Sequence, residues 1–157
     1  MFWEELAEKT NGIYLNKEEG FLIGKNDIEV ISYPKNCIKI YRKKFRNYWS
    51  FGNPNYEKIK LELLFSEKDL DTCKIIRNSW LKRMFTGKEY SYIGNQLFIQ
   101  EILKSKSMQF FKTIPNLKIV VKSNYIIISG KIYGEMQMNL QVLVFEAKYF
   151  KEDVDKK

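Results

Sequence analysis

Histidine is absent from the 157 residues, and that absence removes more chemistry than any residue present supplies. Neither a Ser-His-Asp nor a Cys-His apparatus can be assembled, and no histidine-containing zinc site can form. Cysteine is almost absent as well. Cys37 and Cys73 are too few for an all-thiolate metal cage and far below the density of a disulfide scaffold. Cys73 falls on an apolar helical spacing and reads as core; Cys37, between Lys35 and Lys39, reads as structural rather than nucleophilic. Long apolar runs are also missing, since VLVF at 142–145 is far short of the ~20 residues needed to cross a bilayer. The opening MFWEELAEKT carries three glutamates where a secretory leader needs a basic region and an uninterrupted apolar one. A soluble, cytoplasmic chain with no integral membrane association is expected.

Two near motifs lack a part each. GFLIGKN at 20–26 has three residues between its glycines where a phosphate loop has four, and Asn26 follows the lysine where Ser or Thr belongs, so a hairpin turn is the better reading. VLVFEAKYF at 142–150 places Glu146 and Lys148 as an E-x-K pair of the kind found in metal-dependent nucleases, and YGEMQMN lies upstream. Such chemistry needs two carboxylates on a divalent ion plus a lysine, but Gln137 stands where the first acid is expected, leaving Glu135 as a substitute. The paired acids Glu4-Glu5, Glu18-Glu19 and Asp69/Asp71 sit in expected helix first turns or a turn, where negative charge needs no catalytic explanation. No metal and no cofactor is expected.

What the chain does have is positive charge, unevenly spread. The 27 lysines and arginines exceed the 19 acids by eight, and residues 35–60 hold eight of those cations against Glu57 alone. Within this span, YRKKFRNYWSFGNPNY at 41–56 packs four cations and six aromatic rings into sixteen positions without an acid. Single-stranded nucleic acid is held by that pairing of chemistries, cations on phosphate and rings under bases. A strand running into a turn, with rings covering the sheet edge, also accounts for it. No fixed RNA-binding signature is present, and a membrane surface would need a lipid anchor that the sequence does not encode.

Periodicity predicts an α+β fold: an antiparallel sheet of N-terminal strands plus a C-terminal hairpin, with helices packed on one face. A short helix is expected over the first ten residues, with Phe2, Trp3, Leu6 and Ala7 on one face and Asn11-Gly12 as its stop. Strands GIYLN, FLIG, DIEVISY, CIKIYRKKF and YEKIKLELLF follow, separated by turns at KEEG, KND, PKN and FGNPN. A helix is predicted from a cap at Ser66 with Asp69, running through Leu70, Cys73, Arg77, Trp80, Leu81 and Met84 to a stop at Gly87. The loop GKEYSYIGN and a helical stretch over 98–112, broken near SKS, come next. LKIVVK and YIIISGKIY then form a hairpin turning at Ser123-Asn124. The last segment, 135–152, aligns Met136, Leu140, Leu143, Val144, Ala147 and Phe150 on one helical face, with a strand, as the E-x-K pair requires, as the alternative. Residues 1–152 are expected to form one domain and 153–157 a frayed tail.

These features point to a non-enzymatic binding or structural domain. Its expected contact with an anionic macromolecule, such as single-stranded nucleic acid, falls on Arg42, Lys43, Lys44, Arg46, Tyr48, Trp49, Lys58 and Lys60. Two alternatives stay open: a metal-dependent nuclease-like domain using Glu146 and Lys148, and a self-associating module that binds another protein or a second copy of itself.

Overall fold

Alternating apolar residues build most of the molecule, because a strand sends successive side chains to opposite faces. The computed structural model describes residues 3–48, 54–133 and 139–157. After helix α1 (Trp3–Thr10) come strands β1 (Ile13–Phe21), β2 (Gly24–Tyr33), β3 (Ile38–Asn47), β4 (Tyr56–Leu64) and β5 (Cys73–Arg77). Helix α2 (Trp80–Thr86), strand β6 (Tyr90–Gly94) and helices α3 (Gln96–Lys104) and α4 (Ser107–Phe111) follow. Strands β7 (Lys118–Lys122) and β8 (Tyr125–Tyr133) and helix α5 (Leu140–Asp155) complete the order. The eight strands form one antiparallel sheet ordered β1-β2-β3-β4-β8-β7-β5-β6. This is the expected α+β architecture.

One face of the sheet is covered and the other is not. Ile31, Ile38, Ile40, Ile59, Leu61, Leu63, Ile75, Ile119, Val121, Ile126 and Ile128 are buried on the covered face. Against them lie Trp3, Leu6 and Ala7 of α1, Ile99 and Ile102 of α3, Met108 and Phe111 of α4, and Leu143, Val144, Ala147 and Phe150 of α5. Phe111 meets Phe150 edge-to-face at 5.5 Å, a ring geometry worth about 0.5–1.5 kcal/mol beyond area burial. Gly130 marks a close approach: a Cβ there would collide with Ile114 and with the Pro115 carbonyl. No helix among the described residues is long and apolar enough to cross a membrane.

Several local expectations hold. Asn11 ends α1 with φ 57°, the Ser105-Lys106 break separates α3 from α4, and Lys122 pairs with Tyr125 across the predicted hairpin. Others are corrected. KEEG lies inside β1, and the β1–β2 turn is Leu22-Ile23, because a charged edge strand resembles a turn in composition. The helix expected from Ser66 is replaced by β5 and the short α2, whose cap is Ser79, accepting from the Lys82 N–H at 3.3 Å. Gly87, at φ 65°, is its stop as predicted. Cys73 is buried, but Trp80, Leu81 and Met84 are exposed, and no α2 residue is buried. The expected loop GKEYSYIGN contains β6, which pairs with β5. The expected tail is helical to Asp155, because Val154 is buried in the core and holds the last turn down. Phe2 and Met136 lie outside the described residues.

Candidate functional site

The alternation of β3 divides the predicted cluster between two faces. Ile38 and Ile40 point to the covered face, so Arg42, Lys44 and Arg46 share it, while Lys39, Tyr41, Lys43 and Phe45 point to the open face. On the covered side the helices give out near Trp3, and the cations there are matched with acids. Arg42 donates Nη1 to Glu29 Oε2 at 2.8 Å, Nε to Glu57 Oε2 at 2.6 Å and Nη2 to Glu57 Oε1 at 2.8 Å. Its guanidinium also lies 5.8 Å from the Trp3 ring centroid. Lys44 is 3.6 Å from Glu57, and Arg46 pairs with Asp27. Burial disfavours ionisation of Glu57, but the hydrogen bonds and charge of Arg42, with Lys44, outweigh it and hold that carboxyl below its usual range. Burial together with the Glu29 carboxylate pushes the Tyr14 phenol up to about 12. Three of the four predicted cations of residues 41–56 are therefore engaged in holding the sheet end together.

The open face is different. Reading the register across the sheet, among the described residues it carries Lys17, Lys39, Lys43, Lys58, Lys60, Lys74, Lys118, Lys122 and Lys131 against Glu19 and Glu62. Lys17 faces Ile28, which faces Lys43; Lys43 faces Lys58, and Lys58 faces Lys131. Four of the five positions in this row, across β1, β2, β3, β4 and β8, are lysine. Directly opposed like charges disfavour the folded sheet, so the row is an arrangement that strand pairing alone does not reward. The neighbouring row runs Leu15, Val30, Tyr41, Lys60, Ser129 and Lys118.

Aromatic rings lie among these ammonium groups. Lys60 Nζ is 4.1 Å from the Tyr41 ring centroid and Lys131 Nζ is 3.8 Å from that of Tyr56, within cation–π range. Tyr56 and Tyr133 meet at 5.9 Å, tilted by 59°. Tyr41 donates its hydroxyl to Glu62 Oε2 at 2.8 Å while Lys60 Nζ donates to Glu62 Oε1 at 2.7 Å. Burial and this carboxylate push the Tyr41 phenol up to about 12. Lys43 stands 3.9 Å from Glu19, which is bound more closely, at 2.9 Å, by Lys17. Lys58 has no acid within ion-pair distance among the described residues.

Lys17 on β1 and Lys118 on β7 line a single hollow of about 580 Å³ together with Ile28, Lys43, Lys58 and Lys131. The hollow is walled by ammonium groups and floored by Ile28, Val30 and Tyr41.

Of the predicted site residues, Lys43, Lys58 and Lys60 are brought together in this hollow; Arg42, Lys44 and Arg46 are not. Tyr48 is exposed just beyond β3, and Trp49 and Phe51 lie outside the described residues. Tyr41, Phe45 and Tyr56 are half-buried on the open face, outside the core. Sequence reasoning missed Lys17, Lys118, Lys131 and Tyr133. The period-two pattern of Tyr56, Lys58 and Lys60, repeated as Lys131 and Tyr133, carried the signal for part of this set.

The remaining candidates fall elsewhere. Glu146 and Lys148 lie on α5, where a spacing of two turns side chains roughly 200° apart, unlike the strand that an E-x-K pair requires. Lys148 Nζ sits 4.5 Å from the Tyr33 ring centroid. Glu135 and Gln137 lie outside the described residues. Among the described residues no three acids or cysteines are grouped to hold a metal ion. Cys37 is exposed, left-handed at φ 53°, because it closes the Pro34–Asn36 turn before β3 begins. Burial, with Asp71 nearby, pushes the Cys73 thiol up to about 11. Comparison with known proteins finds no family model, no characterised protein and no solved structure that matches the chain.

Proposed function

We propose that the chain is a binding domain that takes an anionic, ring-bearing polymer, single-stranded nucleic acid, along the open face of its sheet, without a chemical step of its own. The observation that carries this reading is the row Lys43, Lys58 and Lys131, opposed on three adjacent strands. Their mutual repulsion is relieved when a polyanion lies over them and releases its counterions. Tyr41, Tyr56 and Tyr133 supply flat rings beside the charges, and a base stacked on such a ring is worth about 1–3 kcal/mol. Lys60 and Lys131 now lie over the Tyr41 and Tyr56 rings; a base arriving there displaces each ammonium toward the phosphate. Recognition of this kind is tolerant of sequence, because every base has a stacking face and every phosphate the same charge.

Arg42, Lys44 and Arg46 are assigned to the fold rather than to the ligand, since Glu29, Glu57 and Asp27 already neutralise them. The test is an anisotropy titration with a fluorescent single-stranded oligonucleotide, run beside an uncharged-backbone oligomer of the same bases. The reading expects binding of the first, with log K falling against log salt at a slope of roughly −3 to −4 if four or five lysines meet phosphates. Equal affinity for the uncharged oligomer, or no binding of either, contradicts it.

A further inference from the structure

We infer that a second copy of this chain docks on the β6 edge, in an antiparallel two-fold pairing that continues the sheet from one protomer into the other. The two edges of the sheet are not alike. The outer strand β1, though Ile13, Leu15 and Phe21 are exposed on it, carries Lys17, Glu18 and Glu19 at its middle, the charged dressing that keeps sheet edges apart. The other outer strand, β6, reads Tyr-Ser-Tyr-Ile-Gly, with no charge and no proline, and pairs only with β5. Its outward row of backbone groups is a template for another strand.

The surroundings of that edge are apolar. At its N-terminal end α2 carries Trp80, Leu81, Met84 and Phe85 into solvent, Phe85 at 86% exposure, and none of its residues is buried. Tyr92 and Ile93 are exposed on the strand, and Leu97, at 74%, stands just past its C-terminal end. At roughly 200 Å² for a large side chain, these seven present on the order of 800 Å². A standard-size interface takes about that much from each partner.

Charge along the same edge indicates which partner. Residues 78–88 contain Lys82, Arg83 and Lys88 and no acid. Near the opposite end of β6 lies a hollow of about 400 Å³ lined by Glu67, Asp69, Asp71, Glu101 and Asp153 beside Phe98, with Lys68 and Lys157 as its cations. Lys68 is held on the Val154 and Asp155 carbonyls and Lys157 is paired with Asp153, so the hollow keeps an excess of negative charge. An antiparallel two-fold axis through β6 lays the basic, apolar α2 of one chain beside Leu97 and the acidic hollow of the other, and the symmetry repeats the contact. One chain thus carries a basic, apolar helix at one end of β6 and, behind α3 at the other end, an acidic hollow tied to β6 through the Asn95–Asp71 hydrogen bond. These residues are separate from the lysine row, so this inference holds or fails independently of polyanion binding.

Sedimentation equilibrium of the full chain, from about 1 to 200 μM at physiological salt, tests it in the range where micromolar association is visible. The expected result is a rise toward twice the 18.8 kDa chain mass. Replacing both Met84→Glu and Phe85→Glu, two exposed positions, is expected to weaken association at least about tenfold, the effect of losing interface anchors, with circular dichroism unchanged. Arg83→Glu and Glu101→Lys are each expected to weaken it and their combination to restore it. A mass of one chain over the whole range overturns the inference, whether or not that monomer sediments with anionic vesicles. Association of the Met84→Glu, Phe85→Glu variant as tight as that of the unaltered chain overturns it too.

Discussion

Replacing Lys58 with threonine should make the free protein more stable and its hold on a polyanion weaker. Lys58 is opposed by Lys43 on one side and Lys131 on the other and has no acid partner among the described residues. Two unit charges ~6 Å apart in water repel by about 0.7 kcal/mol, roughly halved by physiological salt. Relief from two neighbours, with the strand preference of threonine added, comes to about 0.7–1.5 kcal/mol, or about 2–4 °C in Tm for a chain of this size. Lys60 provides the contrast. It binds Glu62 at 2.7 Å and covers the Tyr41 ring, so Lys60→Thr should leave stability unchanged or lower it slightly. Thermal unfolding of both variants at about 20 and 500 mM salt, followed by circular dichroism, decides the matter, because only a charge effect shrinks as the Debye length contracts. A Lys58→Thr protein that is no more stable at low salt, or is stabilised equally at both, refutes the reasoning. The same substitution should reduce the salt slope of oligonucleotide binding by about 0.7.

Four further outcomes follow from the geometry. Arg42→Ala strands Glu29 and Glu57 without their main partner and should destabilise the chain by about 1–3 kcal/mol in urea unfolding near neutral pH, with little change in oligonucleotide affinity. Because Glu57 is held below its usual range by Arg42, the stability it contributes is full above the unfolded carboxyl pKa of about 4.3 and fades as pH falls through the lower folded value; Arg42→Ala should flatten that acid limb. Thiol titration of the native protein should find Cys37 reacting quickly and Cys73, buried and pushed up to about 11, only on unfolding. Gly130→Ala should cost about 1–3 kcal/mol by overpacking against Ile114 and Pro115, read as a lower urea midpoint.

How far the sequence foretold this arrangement depends on what each signal measured. The β7–β8 hairpin was legible from its turn at Ser123-Asn124 between two short apolar runs, and α5 from the single helical period of Leu143, Val144, Ala147 and Phe150. Residues 66–87 carried two. Leu70, Cys73, Arg77 and Trp80 fit a helical face, but Cys73 and Ile75 against Lys74 and Ile76 fit a strand, and pairing with both β7 and β6 favoured the strand. Propensity has no access to such partners. The basic stretch was legible as a locus but not as a surface. Alternation along β3 separates Arg42 from Lys43, and only register with β4 and β8 sets Lys43, Lys58 and Lys131 side by side. Lys131 and Lys118 come from the far end of the chain, beyond any local window.

The lysine row on the open face is the centre of this account, and the salt dependence of oligonucleotide affinity reaches it most directly. The account predicts that a Lys43→Ala, Lys58→Ala, Lys131→Ala protein loses about 2 from the magnitude of its log K against log salt slope, whereas an Arg42→Lys, Lys44→Ala, Arg46→Lys protein keeps it. An unchanged slope in the first protein, or a flattened slope in the second alone, contradicts it.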